Sequence, residues 1–135
     1  MGFALRKRSL DVGIVTNDAD RMLAFYRDTL GLPALDPLSF GAHGTVHRLC
    51  VGESILRLFQ PGTPAPERGG PNDSTAASTG VRYLTLVWDD VDEVVRACEA
   101  FGVHVSGPVR EIRPGVRATT IQDPDGNWIE VQSLS

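Results

Sequence analysis

Residues 10–26 read LDVGIVTNDADRMLAFY and join an alternating strand pattern to an amphipathic helix pattern. Residues 82–98 read RYLTLVWDDVDEVVRAC and repeat the same order. In both segments apolar residues first alternate, an aspartate-containing turn follows, and apolar residues then recur at helical spacing. The chain therefore contains two copies of a strand–helix unit.

Each helix pattern carries signals at both ends. Asn17–Asp18 and Asp89–Asp90 precede the helices and can accept hydrogen bonds from the free N–H groups of the first turn. Gly31 and Gly102 follow the last turns, where a left-handed residue often ends a helix.

Three strand-like runs follow each helix, so both copies read β-α-β-β-β. The predicted strands of the first copy are Ser9–Val15, Leu35–Phe40, Thr45–Val51 and Ser54–Gln60. Those of the second copy are Val81–Trp88, Val105–Ile112, Val116–Gln122 and Asn127–Gln132. Residues 61–80 are rich in Pro, Gly, Ser and Thr and are predicted to link the copies. We expect one domain over residues 1–135, with modules at 9–60 and 81–133.

Composition limits the possible functions. The chain has 135 residues, of which 41% are hydrophobic and 22% charged, as in ordinary globular proteins. Its net charge of −4 argues against a duplex nucleic-acid binder, which normally has a basic face. No apolar run follows Arg6, Lys7 and Arg8, so neither a signal peptide nor a membrane span is predicted.

The two cysteines, Cys50 and Cys98, lack the spacing of metal ligands. We predict that both are buried free thiols, as is typical of a reducing compartment. A cytoplasmic location is therefore expected.

Three stretches of the sequence point to a known family. They are DVGIV at 11–15, FYRDTLGL at 25–32 and DPDGNWIEV at 123–131. Together they resemble the vicinal oxygen chelate superfamily, which includes glyoxalase I, methylmalonyl-CoA epimerase, extradiol dioxygenases, and fosfomycin and bleomycin resistance proteins. The resemblance covers residues 9–133. It implies an α+β fold in which two βαβββ modules form a curved, cup-like mixed sheet, but it says little about the reaction.

The resemblance also implies where metal-using members place their ligands, which are typically His, Glu or Gln, His, and Glu. The matching positions in this sequence are Asp11, Arg57, Tyr83 and Glu130. Only Glu130 fits that pattern, because Arg57 would repel a cation and Tyr83 is a poor ligand. We expect no metal cofactor. A divalent ion held by Asp11, Glu130 and water is the alternative.

Two further interpretations of these four positions stay open. In the first, Arg57 forms an ion pair with Asp11 or Glu130 and braces the fold. In the second, Arg57 binds an anionic group of a ligand, Glu130 or Asp11 moves a proton, and Tyr83 donates a hydrogen bond. Glu130, Asp11 and Tyr83 are therefore the candidate catalytic residues.

Strand alternation supplies the neighbours of these positions. In the first strand, Leu10, Val12 and Ile14 are predicted to form the apolar face. The predicted ligand-binding residues lie on the opposite faces of their strands, which would line the cup. They are Arg57, Phe59, Trp128, His47 and Gln132. Such a lining suits a planar or partly anionic organic molecule.

The sequence thus predicts a metal-independent protein that binds a small aromatic or anionic organic molecule in the cup and either isomerises or sequesters it. One alternative is a metal-dependent glyoxalase, epimerase or dioxygenase that uses Glu130 and Asp11. Another is a non-catalytic binding module, so enzymatic activity stays open. We expect a homodimer with no nucleic-acid or membrane partner.

Overall fold

A computed structural model describes residues 2–67 and 74–135. The chain divides between Pro66 and Glu67 into two compact units, called module 1 and module 2 below. The division falls inside the predicted linker, 61–80. No helix in the described ranges is long and apolar enough to cross a membrane.

Module 1 contains a four-stranded mixed sheet and one helical segment. Its elements in chain order are β1 (Val12–Val15), α1 (Ala19–Leu23), a π-helical turn (Ala24–Thr29), β2 (Ala34–Ser39), a 3-10 turn (Gly41–His43), β3 (Gly44–Val51) and β4 (Ser54–Pro61). The strand order is β1-β4-β3-β2. Strand β1 runs parallel to β4, and the other pairs are antiparallel.

Module 2 repeats this arrangement. Its elements in chain order are β5 (Tyr83–Trp88), α2 (Val91–Phe101), β6 (Arg110–Arg113), β7 (Val116–Gln122) and β8 (Trp128–Leu134). The strand order is β5-β8-β7-β6, and β5 runs parallel to β8. Both predicted βαβββ modules are therefore confirmed.

The predicted helix ends are also present. The Asp18 side chain accepts a hydrogen bond from the Arg21 N–H at 3.1 Å, and Asp90 accepts one from the Glu93 N–H at 3.2 Å. These caps satisfy donors that an isolated helix start leaves free. Helix α2 ends at Phe101 and is capped by Gly102, whose φ of 99° is the left-handed conformation that favours glycine.

In module 1 the helical segment covers one face of the sheet. Leu56 and Leu58 of β4 are buried on that face, and Leu58 is completely inaccessible. Gln60 follows on the same face, where its Oε1 accepts a hydrogen bond from the Ala19 N–H at 2.8 Å. Burying a leucine of this kind contributes about 1.5–3 kcal/mol.

Module 2 is built in the same way. Ile129 and Val131 of β8 are completely buried on the helix-facing side. Ser133 continues that side, and its Oγ accepts a hydrogen bond from the Val91 N–H at the start of α2 at 2.6 Å. In each module the opposite face of the sheet, called the open face, is free of the module's own helix.

The first strand is shorter than predicted. It begins at Val12, and Leu10 is 79% exposed, so the assignment of Leu10 to the apolar face is wrong. The strand begins after Asp11 because the side chain of this residue takes a backbone donor of the neighbouring strand: its Oδ1 accepts a hydrogen bond from the Ile55 N–H of β4 at 2.8 Å. This side-chain bond satisfies an N–H of β4 at the end of the pairing between β1 and β4.

The predicted strand 105–112 is also partly wrong. Strand β6 covers Arg110–Arg113, and Val105 forms only an isolated bridge with Ile121. Pro108 lies between the two segments, and proline has no N–H to donate to a sheet.

The cysteine prediction is right for one residue and wrong for the other. Both thiols are free; Cys98 is buried and Cys50 is only half-buried. Burial raises the pKa of the Cys98 thiol to about 11. Cys50 lies in β3 opposite Ile55, on the open face of module 1.

Candidate functional site

The open face of module 2 collects polar and aromatic side chains in register. Tyr83 pairs with Trp128, and Thr85 pairs with Glu130. Paired residues of neighbouring strands project from the same side of a sheet. Gln132 follows Glu130 on this side at the period-two spacing of a strand. The structure therefore brings together the predicted residues Tyr83, Trp128, Glu130 and Gln132.

Glu130 is held through one of its two carboxylate oxygens. Gln132 Nε2 donates a hydrogen bond to Glu130 Oε1 at 2.6 Å, and Thr85 Oγ1 donates to the same oxygen at 3.3 Å. No residue in the described part of the chain donates to Oε2. A half-buried carboxylate is thus oriented while one acceptor oxygen stays available.

Aromatic rings lie beside this carboxylate. Trp128 is 9% exposed, and the His104 ring meets it edge-on at 5.8 Å between centroids. Tyr83 is 51% exposed at the edge strand β5. The exposed Tyr83 ring offers apolar area and a phenol that can donate a hydrogen bond, and the buried Trp128 ring supports the sheet beside it.

Sequence reasoning missed several polar residues of this face. Thr85 could have been found, because it lies two positions from Tyr83 in the same strand. Thr120 pairs with Glu130 from the other side, and its hydroxyl donates to Ser106 Oγ at 2.9 Å. Ser106 lies in an irregular segment, so strand alternation gave no signal for it.

In module 1, Asp11 is surrounded by donors. Its Oδ1 accepts hydrogen bonds from Lys7 Nζ at 2.7 Å and from the Ile55 N–H at 2.8 Å, and its Oδ2 accepts one from Arg57 Nη1 at 3.0 Å. These three bonds, led by that of Lys7, hold the pKa of Asp11 well below its usual range. An acid that stays ionised is a poor proton carrier, which argues against the predicted catalytic role of Asp11. The ion pair between Arg57 and Asp11 expected in the first interpretation is present.

The two other predicted ligand residues of module 1 lie on opposite faces. Phe59 shares the open face with Arg57, two positions along β4. His47 pairs with Leu58 and so lies on the helix-facing side, which means that the prediction that it points towards the ligand is wrong. The register of the β3–β4 hairpin places Arg48, and not His47, opposite Arg57. Alternation within one strand cannot reveal this register.

The four positions matched to the family's metal ligands do not fit a divalent cation. Asp11 already bonds two cationic side chains, and one of them, Arg57, occupies a ligand position itself. Within residues 2–67 and 74–135, no group of three His, Cys, Asp or Glu side chains could hold a metal ion. The donor chemistry at Asp11 and Arg57 therefore does not suit a divalent cation.

A groove of about 670 Å³ lies along α2 and residues 102–109, and it is lined in part by His104, which also meets Trp128. Val95, Val103 and Pro108 supply part of its wall. It does not include Glu130 or Tyr83. Its two carboxylates are Asp92, which is ion-paired with Arg117, and Glu99, which lies at an exposed helix position, whereas Glu130 is oriented by two side-chain donors. We therefore place the candidate site on the open face of module 2 instead of in this groove.

Two mixed four-stranded sheets, each with one helix in βαβββ order, define the glyoxalase type of α+β fold. A family model described as the Glyoxalase/Bleomycin resistance protein/Dioxygenase superfamily matches residues 8–131. The chain belongs to this superfamily.

Individual relatives differ in what they do. The uncharacterized protein YwbC of Bacillus subtilis (strain 168) is 24% identical over 132 residues, which cover 93% of this chain and 97% of that protein. TnmS3, an antibiotic binding protein from Streptomyces sp. CB03234, is 25% identical with a TM-score of 0.67 over 100% of this chain and 99% of that chain. Lactoylglutathione lyase from Agrobacterium tumefaciens is also 25% identical, with a TM-score of 0.63 over 96% of each chain. Membership alone therefore does not decide between binding and catalysis.

Proposed function

We propose that this protein binds a small aromatic molecule carrying a hydrogen-bond donor on the open face of module 2, without a metal ion. The observation that supports this most is the state of Glu130. Its Oε1 is fixed by Gln132 and Thr85, and its Oε2 is left to accept from a ligand. An ionised acceptor that is oriented before binding forms a stronger hydrogen bond at lower entropic cost.

The surroundings of Glu130 suit an aromatic ring. Trp128 precedes it by two residues on the same face, and Tyr83 lies opposite Trp128 in register. A planar ligand can pack against the exposed Tyr83 ring while its hydroxyl or amino group faces Glu130. The likeness to TnmS3, an antibiotic binding protein, supports a binding function of this kind.

The test compares an aromatic ketone that carries a hydroxyl donor with its methyl ether, which lacks the donor. We expect 2-hydroxyacetophenone to bind about tenfold more tightly than 2-methoxyacetophenone in calorimetric titrations with EDTA present, because only the hydroxyl donates to Glu130. Glu130→Gln should remove this preference, and the control Glu99→Gln, at an exposed helix position, should keep it. Equal affinity of the two ligands, or binding abolished by EDTA, would contradict the proposal.

An isomerase-type reaction is the second candidate, favoured by the same free oxygen on Glu130. In this reaction Glu130 removes a proton from a carbon beside a carbonyl, and the electron pair of the C–H bond moves to the carbonyl oxygen as an enolate. The substrate carbon that loses the proton carries a hydroxyl, so the enolate is an enediolate, and the Tyr83 hydroxyl donates a hydrogen bond to its former carbonyl oxygen. The substrate's hydroxyl proton moves to that oxygen, and Glu130 returns its proton to the former carbonyl carbon, so that hydroxyl and carbonyl exchange places.

Proton exchange distinguishes this reaction from sequestration. In D₂O, the wild-type protein should speed deuterium incorporation into the CH₂ group of 2-hydroxyacetophenone, as followed by NMR. Glu130→Gln should still bind the molecule through its rings but not speed the exchange. Unchanged exchange in Glu130→Gln rejects the proton-transfer role, and no exchange in the wild type leaves sequestration as the function.

A further inference from the structure

We propose that the groove along α2 and residues 102–109 is a self-complementary surface on which a second copy of this chain docks, around a two-fold axis near Val105. This inference goes beyond the proposed function, which concerns the open face of module 2 and does not depend on it. Three features of the groove support a second copy as its occupant: an unpaired sheet edge, an apolar lining, and two opposite charges that form no ion pair in the described part of the chain.

The sheet of module 2 has an unpaired edge beside the groove. Val105 bridges Ile121 of β7, and the two hydrogen bonds that flank this bridge, both 2.9 Å long, belong to His104 and Ser106. In this antiparallel pattern the residue at the bridge directs its own N–H and C=O away from the neighbouring strand. Among the residues that the structure describes, neither group of Val105 has a hydrogen-bond partner. An unpaired edge of this kind is a template for a further strand.

Only a short strand fits this edge. Pro108 has no N–H to offer, and beyond it β6 consists of the exposed and mostly charged residues Arg110–Arg113, which discourage pairing. If the same segment of a second copy pairs with it in antiparallel fashion, Val105 donates a hydrogen bond to the partner's Val105 and accepts one from it. A two-fold axis at this point therefore satisfies the free backbone groups of both copies at once.

The lining of the groove beside this edge is apolar. Val95 of α2 is 7% exposed, and the half-buried Val103, Val105 and Val109 line the groove with it. Covering apolar side chains removes them from water and favours association. An apolar centre with charged residues around it is the usual composition of a protein–protein interface.

Two exposed charges of α2 also line the groove. Arg96 and Glu99 lie one turn apart, and in the described part of the chain neither forms an ion pair. The helix itself gains little from them. Glu99 lies in the last turn of α2, where the helix dipole disfavours a negative charge, and an arginine that precedes a glutamate is the less favourable order for a pair within one helix.

A two-fold axis converts these charges into two ion pairs. In a contact of this symmetry, residue i of one copy meets residue j of the other, and j meets i. Because Arg96, Glu99 and Val105 line the same groove, an axis at Val105 passes beside both charges. Arg96 then meets the partner's Glu99, and Glu99 meets the partner's Arg96. A second copy thus compensates both charges, which a partner of a single charge does not.

Charge exchange on the full chain tests this docking by sedimentation equilibrium. We expect the wild type to dimerise with a dissociation constant in about the micromolar range, as suits a small interface. Arg96→Glu and Glu99→Arg each bring like charges together twice across the axis, so each should weaken the dimer at least about tenfold. The double variant Arg96→Glu/Glu99→Arg exchanges the charges and should return to within about threefold of the wild type. The control Arg113→Glu, at an exposed position of β6, should associate like the wild type.

A cysteine at position 105 tests where the axis lies. Directly bonded antiparallel residues have Cα atoms about 5.5 Å apart, a separation that a disulfide spans. Val105→Cys, combined with Cys50→Ser to remove the half-buried thiol, should therefore give a disulfide-linked dimer when oxidised with copper phenanthroline in air. Arg113→Cys in the same background should stay unlinked.

Several outcomes overturn the inference. They are a wild-type monomer at all concentrations, a dimer that both single reversals leave unchanged, and a loss in the single variants that the double variant does not recover. Recovery in the double variant also excludes a folding defect as the cause of the loss, because it carries both substitutions. If a dimer forms but Val105→Cys does not cross-link, the axis lies elsewhere and the inference fails. The proposed function is tested by ligand titrations of the open face, so it stands or falls separately.

Discussion

The contact between Gln132 and Glu130 allows a quantitative test of the candidate site. Gln132 Nε2 lies 2.6 Å from Glu130 Oε1, and both side chains are half-buried. A hydrogen bond to a charged group contributes about 1.5–3 kcal/mol when fully effective. Because Thr85 still donates to the same oxygen and solvent screens the face, we expect Gln132→Ala to cost about 1 kcal/mol of binding energy.

A double-mutant cycle isolates this contribution. Calorimetric titration of 2-hydroxyacetophenone should give about fivefold weaker binding for Gln132→Ala than for the wild type. When Gln132→Ala is combined with Glu130→Gln, it should weaken binding little further. The two substitutions should therefore show a coupling energy of about 1 kcal/mol. If the two losses simply add, Gln132 acts independently and the orientation argument for Glu130 is refuted.

Four other predictions concern the fold and its titrating groups. Leu58→Ala, at a completely buried position, should lower the free energy of unfolding in urea by about 2–5 kcal/mol, and Leu10→Ala, at a 79% exposed position, should change it by less than about 0.5 kcal/mol. Iodoacetamide at pH 8 should modify Cys50 before Cys98 in the folded protein, because burial raises the pKa of Cys98 to about 11; equal labelling rates measured by mass spectrometry would contradict this. The pKa of Asp11 is lowered in the folded state, so the ionised carboxylate stabilises the fold above its unfolded pKa near 3.8, and this stabilisation is lost as the pH falls below that value. The difference in unfolding free energy between the wild type and Asp11→Asn should therefore close on acidification. A difference that stays constant with pH would refute the lowered pKa of Asp11. Sedimentation equilibrium should give twice the chain mass if the expected homodimer forms, and a monomer at all concentrations would exclude it.

The βαβββ architecture could be predicted from the sequence because the signals that specify its helices and strands are local. The caps Asp18 and Asp90 and the glycine stop at Gly102 depend only on neighbouring residues, and all three are present. The errors occurred where a distant contact decides the outcome. The first strand starts at Val12 because a side-chain bond between Asp11 and Ile55 joins residues far apart in the chain.

The candidate site was predictable only in part, for a related reason. Alternation separates the two faces of a strand, so Tyr83, Trp128, Glu130 and Gln132 were placed on one side of their sheet correctly. It does not give the register between strands, which pairs His47 with Leu58 on the helix-facing side and so contradicts the prediction that His47 points towards the ligand. The direction of an individual hydrogen bond, such as that from Gln132 to Glu130, requires coordinates.

The location of the bound ligand is the most direct test of the account. Titration of ¹⁵N-labelled protein with 2-hydroxyacetophenone in EDTA, followed by amide chemical shifts, reports which residues contact it. We predict the largest shifts at Thr85, Trp128, Glu130 and Gln132. Shifts confined to α2 and residues 102–109, with β5 and β8 unchanged, would contradict the account.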